Sequence, residues 1–381
     1  MEMLTAYTEE TEDAGRAVSE VLAMIDRGRL SKNSAGILHC HSDFLGIGVV
    51  GALHDALGFD IVGCTTISSS ARGVMSKKAM VLSVLTSDDV VFAAGASASI
   101  FDDAAGPVEE LYRKVFAPIG SRPAMFFAFV PRVCDIGGDE FLRVLDGLSE
   151  NVPAFGSIPI SNDPDSGSRT IYNGMGYGMS VVLLALYGDV DPDFLSVPVD
   201  YKIILRQKAL VTGVTKNILH TVNNMPAVKY LESIGLIRGN DVTGLESMPL
   251  VFYPEDGAVI ARACMKVAPD GGLVLTGTVP KRSTLAFSAT SPDAILRSTE
   301  DKVWEALALA RGRGMLMYSC ASRFWTLGLD GMKEHKKVGE CIGKASAYCM
   351  AYSGGELCPS CAPGGRTENM LFNDSFVICI L

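Results

Sequence analysis

The chain has 381 residues, of which 48% are hydrophobic and 20% are charged, and its formal net charge is −10. This share of apolar residues supports a large folded core, which excludes a disordered chain and favours two domains. The acidic balance and the lack of a Lys/Arg-rich run exclude nucleic acid as a partner.

The first 30 residues predict a short N-terminal helical lead-in without a secretion signal. The opening sequence MEMLTAYTEETEDAG is acidic and lacks a basic segment followed by an apolar run. The longest apolar stretch, MGYGMSVVLLALYG, is too short and too rich in glycine to cross a bilayer. We therefore expect a cytoplasmic protein with no membrane insertion.

A strand–turn–helix–strand pattern recurs three times along the chain, over residues 35–66, 123–163 and 313–356. In each copy an apolar run of strand length ends at a polar cluster, and a segment with helical periodicity follows. A polar, glycine-rich loop and a further strand come after each copy. This order predicts an α/β (mixed α+β) fold of strand–helix–strand units on mixed β-sheets. Chance similarity is the alternative, because the residue identities barely recur.

A different kind of segment separates the second copy from the third. Residues 208–236 predict a strand, a turn at Asn223-Asn224 and a helix that starts at Pro226, where proline fits the first helical turn. Residues 249–288 predict an antiparallel meander with turns at Asp256-Gly257 and Asp270-Gly271. We place the domain boundary near residue 224. The predicted domains are residues 31–224 and 225–381, preceded by the lead-in of residues 1–30.

The ten cysteines are more typical of free thiols than of a disulfide framework, since no secretion signal is visible. Cys358 and Cys361 form a single C-x-x-C motif. A metal site would need two more ligands, and the nearest candidates, Cys341 and Cys349, do not have zinc-site spacing. A plain loop and a redox pair are the remaining interpretations. We expect no metal and no cofactor.

The stretch MLMYSCASRFW, residues 315–325, is an apolar strand that ends at Cys320, with Arg323 three residues later. Polar groups at the ends of such strands tend to face one crevice, so we expect both residues near the loop that starts at Gly354. A guanidinium binds a carboxylate through two parallel hydrogen bonds, which makes Arg323 a candidate ligand anchor. Glu356 could hold an ammonium group, or it could pair internally with Arg323.

Three more side chains are candidates for the same crevice, and Cys320 itself has several interpretations. Asn373 can donate and accept at a ligand, or it can cap a turn. Thr65 and Asn162 follow the second strands of the first two copies, where they either line the crevice or satisfy loop backbone. The thiol of Cys320 lies beside a cation, which lowers a thiol pKa. A small turn residue, a ligand-lining thiol and a catalytic nucleophile are its three interpretations.

The order and spacing of several segments resemble the FIST family, which pairs an N-terminal and a C-terminal sensory domain. The segments are VGCTT (62–66), VPAFGSIPISND (152–163), VTGVTKNILHTVNNMPAVKYL (211–231), DGGLVLTGTVP (270–280), YSCASR (318–323), YSGGEL (352–357) and the segment at Asn373. The resemblance implies an intracellular sensor of signal transduction, with amino acids as proposed ligands and no settled enzymatic activity. The chain departs from the family pattern at Gly354, where the family has an aromatic residue, and in the C-x-x-C after Glu356.

Three hypotheses about function follow from these observations. The first is a sensory protein that binds an amino acid or a related small molecule and acts with a separate signalling protein. The second is a hydrolase or transferase that uses Cys320, and the third is a protein-interaction scaffold. The sequence favours the first, because it contains neither a G-x-G-x-x-G fingerprint after a strand nor a G-x-S-x-G elbow.

Overall fold

The computed structural model describes residues 1–101, 103–132, 137–162, 167–197, 202–203, 208–245, 248–255, 259–361 and 367–381. The described residues form three six-stranded sheets and one nine-stranded sheet, with helices packed against them. The predicted mixed α+β class is therefore confirmed. Among the described helices, none combines the length and the hydropathy that crossing a bilayer requires.

Three units with the same order of elements follow one another along the chain. The first unit begins with an edge strand and a helix, continues with the predicted strand–helix–strand segment, and ends with a hairpin and a returning strand. Its elements are β1 (Glu2–Thr8), α1 (Ala14–Met24), β2 (Asn33–Cys40), α2 (Asp43–Gly46), α3 (Val49–Leu57), β3 (Ile61–Thr65), β4 (Ser69–Ala71), β5 (Val74–Ser76) and β6 (Met80–Ser87). The first thirty residues thus contribute a strand as well as a helix.

The second unit repeats this order. Its elements are β7 (Val91–Ala96), α4 (Ala105–Leu111), β8 (Met125–Phe129), α5 (Glu140–Ser149), β9 (Ala154–Ser157), β10 (Thr170–Tyr172), β11 (Met175–Tyr177) and β12 (Val182–Tyr187). The third unit starts at β13 (Asp193–Val197), and a separate lobe interrupts it at once. We use "the lobe" for residues 202–289 throughout.

The lobe carries the nine-stranded sheet. Its elements are β14 (Lys202–Ile203), β15 (Ala209–Thr215), β16 (Ile218–Val222), β17 (Met225–Pro226), α6 (Ala227–Ser233), β18 (Leu250–Pro254), β19 (Ile260–Arg262), β20 (Cys264–Val267), β21 (Leu273–Leu275) and β22 (Ser283–Ala289). Helix α6 begins directly after Pro226, one residue later than predicted, and a turn lies at Asp270-Gly271. The predicted turn at Asp256-Gly257 falls outside the described residues. Residue 224 lies in the turn between β16 and β17.

The third unit resumes after the lobe and completes the repeated order. Its remaining elements are α7 (Pro292–Ala310), β23 (Met315–Cys320), α8 (Ala321–Leu327), α9 (Lys333–Ile342), β24 (Tyr348–Ser353), β25 (Glu356–Cys361), β26 (Thr367–Phe372) and β27 (Phe376–Ile380). The recurrence predicted from the sequence is present in the fold. It extends beyond the predicted segments to the edge strand, the hairpin and the returning strand of each unit.

The hairpin of each unit joins the sheet of another unit. The first sheet has the order β1-β6-β2-β3-β10-β11, the second β7-β12-β8-β9-β25-β26, and the third β13-β27-β23-β24-β4-β5. At the centre of each sheet lies a parallel pair, β2 with β3, β8 with β9, or β23 with β24. The first unit therefore gives its hairpin to the third sheet, the second unit to the first sheet, and the third unit to the second sheet.

The three six-stranded sheets share one central core. Val62, Phe127 and Tyr318, one from each sheet, belong to the same buried cluster. Alternate residues on the same strands, such as Phe126 and Met317, face separate clusters that the helices cover. Burial on both faces explains why these strands are continuous apolar runs.

Glycine permits close packing at two related positions of the parallel pairs. A Cβ atom added at Gly63 would lie 1.8 Å from the carbonyl oxygen of Leu38, and one at Gly156 would lie 1.8 Å from that of Ala128. Neither contact is possible for a larger residue without moving the backbone. The two glycines therefore fix how closely β3 and β9 approach their partner strands.

Candidate functional site

A cavity of about 230 Å³ lies at the carboxyl ends of β23 and β24, where the lobe covers the third unit. Three distant parts of the chain line it. The lining residues are Arg132, Ile160, Ala263, Cys264, Met265, Thr276, Cys320, Ala321, Ser322, Trp325, Ser353 and Gly354. A larger groove of about 440 Å³ lies between β1 and residues 343–348, but it contains none of the predicted site residues. We therefore take the smaller cavity as the candidate site.

The floor of the cavity is formed where two parallel strands end side by side. Cys320 and Ser353 are register partners at the ends of β23 and β24, and both side chains are buried. The N–H of Cys320 donates to the carbonyl of Ser375 over 2.9 Å, and the N–H of Gly354 donates to that of Ile158 over 2.8 Å. These backbone hydrogen bonds hold the floor in place.

Arg323 lies beneath this floor and does not line the cavity. Its Nε and Nη2 atoms donate to Glu334 Oε1 over 3.1 and 2.7 Å, and both side chains have no exposed surface. Burial alone would raise the pKa of Glu334, but the Arg323 guanidinium and the hydrogen bonds to the carboxylate outweigh it, so this pKa lies below its usual value. The predicted internal ion pair of Arg323 therefore exists, with Glu334 rather than Glu356 as its partner.

Three neutral donors complete the shell around Glu334. Thr299 donates to Oε1 over 2.6 Å, while Ser319 and Tyr352 each donate to Oε2 over 2.8 Å. With the two bonds from Arg323, the carboxylate accepts five hydrogen bonds. A buried charge pair needs such satisfaction of its polar atoms to be stable.

Glu356 is also fully buried and does not line the cavity. The hydroxyls of Ser353 and Ser375 bind its two carboxyl oxygens, the latter over 2.7 Å. Burial raises the pKa of Glu356 to about 8, against a smaller opposing effect of these hydrogen bonds and of Arg323. The side chain is thus mainly uncharged at neutral pH, and it is not placed to hold a ligand ammonium directly.

Asp374 is a buried acid that the sequence analysis did not single out. Its Oδ1 accepts a hydrogen bond from Ser322 over 2.6 Å, and burial raises its pKa to about 6. Asp374 Oδ2 and Arg323 Nη1 are buried, and neither has a hydrogen-bond partner among the described residues. Arg323, Glu334 and Asp374 therefore form a charged layer behind the floor, and Ser322 and Ser353 separate this layer from the cavity.

The three other residues predicted for the site, Asn373, Thr65 and Asn162, lie outside the lining of the cavity. Asn373 accepts from Thr276 Oγ1 over 2.5 Å and donates to the carbonyl of Gly354 over 3.5 Å, so it ties the lobe to the floor. Thr65 is buried, accepts from the N–H of Arg169 over 3.0 Å and does not line the cavity. Asn162 is exposed and does not line it either. Of the six predicted residues, Cys320 alone appears in the lining.

Several lining residues were not identified as site residues from the sequence. Arg132 belongs to the polar cluster that follows β8, and that position is the signal that could have identified it. Ala263, Met265 and Thr276 come from the lobe. Nothing in their local sequence indicates that the lobe folds over the third unit.

The lobe is fastened beside the cavity by a small polar cluster. Arg262, which is almost fully buried, donates to the carbonyl of Leu371 over 3.0 Å and pairs with Asp139 over 3.4 Å. Asp139 Oδ1 accepts from both the N–H and the hydroxyl of Thr278, over 2.9 and 2.7 Å. These contacts fix residues 263–276 of the lobe against the second and third units.

The thiol of Cys320 is expected to resist alkylation in the folded protein at neutral pH. Burial, followed by the nearby Glu356 and Asp374 carboxyls, raises its pKa, and only the thiolate is a good nucleophile. Peptide mass spectrometry after iodoacetamide treatment measures this, with the half-buried Cys341 as the reference thiol. Modification of Cys320 ahead of Cys341 in native protein would instead support the nucleophile hypothesis.

The remaining described cysteines are mostly core residues. Cys358, from the C-x-x-C motif, is buried in β25, with its sulfur 3.5 Å from the carbonyl oxygen of Pro359. In the part of the chain that the structure describes, no three His, Cys, Asp or Glu residues are grouped to hold a metal ion.

Comparisons with known proteins identify two adjoining sequence domains. The family model described as the FIST N domain matches residues 34–225, and the one described as the FIST C domain matches residues 223–359. A search of curated proteins finds no match.

Proposed function

Because the chain belongs to the FIST family, we propose that it is a cytoplasmic sensory protein that binds a small ligand in the cavity under the lobe. FIST domains are sensory domains of signal transduction. The proposed ligand is an amino acid or a related small molecule. In this proposal a separate signalling protein receives the signal.

The observation that carries the proposal is the composition of the cavity. Buried polar groups at its floor, Cys320, Ser322 and Ser353, face apolar walls that include Ile160 and Met265. Ligand sites commonly combine an apolar lining with a few fixed polar groups. A volume of about 230 Å³ is below the roughly 300–1,000 Å³ of sites for drug-sized molecules, so it suits a smaller ligand.

The arrangement also supports a sensor that responds to ligand binding through the lobe. The cavity is shared between the lobe, the loops of the second unit and the floor of the third unit. A ligand that touches all three parts stabilises their contact, because it binds the assembled form in preference to a separated one. A change in that contact is what a signalling partner would detect.

A thermal-shift screen against amino acids, small carboxylates and small amines tests the proposal. A ligand present at a hundred times its Kd adds roughly 2.7 kcal/mol of stability, which raises Tm by a few degrees. Ala263→Phe, which fills the cavity from the lobe, should abolish the shift. Ala294→Phe on α7, outside the cavity, should leave it unchanged.

Three outcomes of these experiments would count against the proposed ligand site or the proposed function. A shift that persists in Ala263→Phe, in a variant with an unchanged unliganded Tm, would place the ligand elsewhere. If no compound shifts the wild-type protein, the amino-acid-like ligand is rejected. A partner protein captured equally well by wild type and Ala263→Phe, with no dependence on any compound, would favour the scaffold hypothesis.

A further inference from the structure

The charges around the cavity are distributed unequally. Arg132 is the one ionisable side chain besides the thiols of Cys264 and Cys320 among the lining residues, and no described residue forms an ion pair with it. Glu356 and Asp374 are bound by Ser353 and Ser322, and neither carboxyl group is part of the lining. Among the residues that the structure describes, the lining therefore presents a single positive charge and no negative one.

Exposure distinguishes the mouth of the cavity from its floor. Arg132 is exposed and Trp325 is 39% exposed, whereas Ser322 and Ser353 are at most 3% exposed. The positive charge is consequently at the mouth. A carboxylate bound there keeps contact with water on its outer side, so it avoids most of the cost of burying an anion.

The hydroxyl groups deeper in the cavity already use their protons in hydrogen bonds within the protein. The hydroxyl of Ser322 donates to Asp374, and that of Thr276 donates to Asn373. A hydroxyl has one proton to donate and two lone pairs that accept. Thr276 Oγ1 also accepts from the N–H of Ala263 over 3.2 Å, which leaves it one lone pair. Both oxygens can therefore accept from a ligand, and they favour a ligand group that donates a hydrogen bond.

We propose that Arg132 determines ligand specificity: it binds the carboxylate of a small ligand at the mouth, while a hydroxyl or ammonium group of the same ligand donates to Ser322 and Thr276. This inference rests on the proposed function. It assigns the recognition of the carboxylate to the second unit rather than to the buried Arg323. It also gives the ligand one orientation, with its carboxylate outward and its donor inward.

The test uses two matched sets of compounds and isothermal titration calorimetry. The alanine set is L-alanine, L-lactate, propionate and ethylamine, and the leucine set is L-leucine, 2-hydroxy-4-methylpentanoate, 4-methylpentanoate and isoamylamine. We expect the amino or hydroxy acid of at least one set to bind more tightly than its amine, which lacks the carboxylate. The acid without an inner donor should bind more weakly than the amino or hydroxy acid.

The variants Arg132→Ala and Arg132→Lys complete the design, with Arg297→Ala, an exposed arginine on α7, as the matched control. Loss of a charge-assisted hydrogen-bonding partner should weaken binding of the acid by about tenfold or more in Arg132→Ala. Arg132→Lys should retain part of the affinity, and Arg297→Ala all of it. Equal unliganded Tm values for the four proteins establish that folding is unchanged.

Two kinds of result would overturn the role of Arg132, and only the second would also reject the proposed function. If the amine binds as well as the acid, or if Arg132→Ala binds the acid with unchanged affinity, Arg132 does not bind the ligand carboxylate. Either result would still leave the proposal of a ligand-binding protein intact. If no compound of either set binds to the wild-type protein, both this inference and the amino-acid-like ligand of the proposed function are rejected.

Discussion

Replacing Glu334 with alanine is expected to lower the free energy of unfolding by about 3–5 kcal/mol, because it leaves the Arg323 guanidinium buried without a counter-charge. Both side chains have no exposed surface, so water cannot solvate the remaining charge. The hydroxyl of Ser319 would lose its acceptor in the same substitution, and those of Thr299 and Tyr352 would keep only the carbonyl oxygens of Ile295 and Gly331. Urea unfolding followed by circular dichroism measures the change.

Glu340→Ala on the same helix is the matched control for this prediction. Glu340 pairs with Lys336, but both side chains are more than half exposed, so the unfolding midpoint should stay close to that of the wild type. A double variant, Arg323→Met with Glu334→Leu, should recover much of the loss, because apolar replacements of a buried ion pair remove both charges. Equal midpoints for Glu334→Ala and Glu340→Ala would contradict the assigned role of the pair.

A second large effect is expected from pH, with stability falling as pH rises from about 7 to about 8. The pKa of Glu356 is raised from 4.5 to about 8 in the folded protein, so the folded state holds one more proton than the unfolded state in this range. Stability from a raised pKa is complete below the unfolded value and is lost as pH approaches the folded value. Glu356 contributes a slope of about 1.4 kcal/mol per pH unit while it keeps its proton in the folded state, and about half of that at its folded pKa.

A window above about pH 7 reduces the contributions of the other buried groups. The pKa of Asp374 is raised only to about 6, so this carboxyl has lost most of its proton in both states by then. Burial lowers the pKa of His335 to about 4 and that of His39 to about 3, and since unfolded histidines titrate near 6.5, their opposing effect fades above about pH 7. Glu356→Gln keeps a neutral group of similar shape and should flatten the dependence. Urea unfolding of both proteins at several pH values measures it, and an equal slope in the variant would assign the titration to another residue.

The sequence identifies the repeated units because each unit has its own apolar strands and polar strand ends. It also predicts that Cys320, Arg323, Glu356 and Asn373 come together, and these residues do meet at or behind one cavity floor. The sequence did not show which of these residues line the cavity and which form buried internal contacts. Glu334 lies in the helical segment KEHKKVGECI, where most other charges are exposed, and only the packing of α9 makes it the partner of Arg323.

The position of the lobe over the cavity could not be predicted from the sequence for a related reason. The lobe follows β13 in the sequence, yet its Thr276 accepts from the N–H of Gly138 in the second unit and donates to Asn373 in the third. Pairings between such distant segments leave no local pattern, because periodicity reports only which face of an element is buried. Arg132 was visible as part of a polar strand end, but its place at the cavity depends on the hairpin exchange that joins the second and third units.

That exchange of hairpins has a consequence for synthesis on the ribosome. The first sheet can close once the chain has reached Tyr177, but the second needs strand β26, which ends at Phe372, and the third needs β27, which ends at Ile380. The hairpin β4–β5 is made before the second unit, and its partner strand β24 is made only after the lobe. Pairings of this separation form slowly and leave strand edges exposed meanwhile. The nascent protein therefore carries open edges until β27 has been synthesised, and this is the stage at which it most needs protection from aggregation.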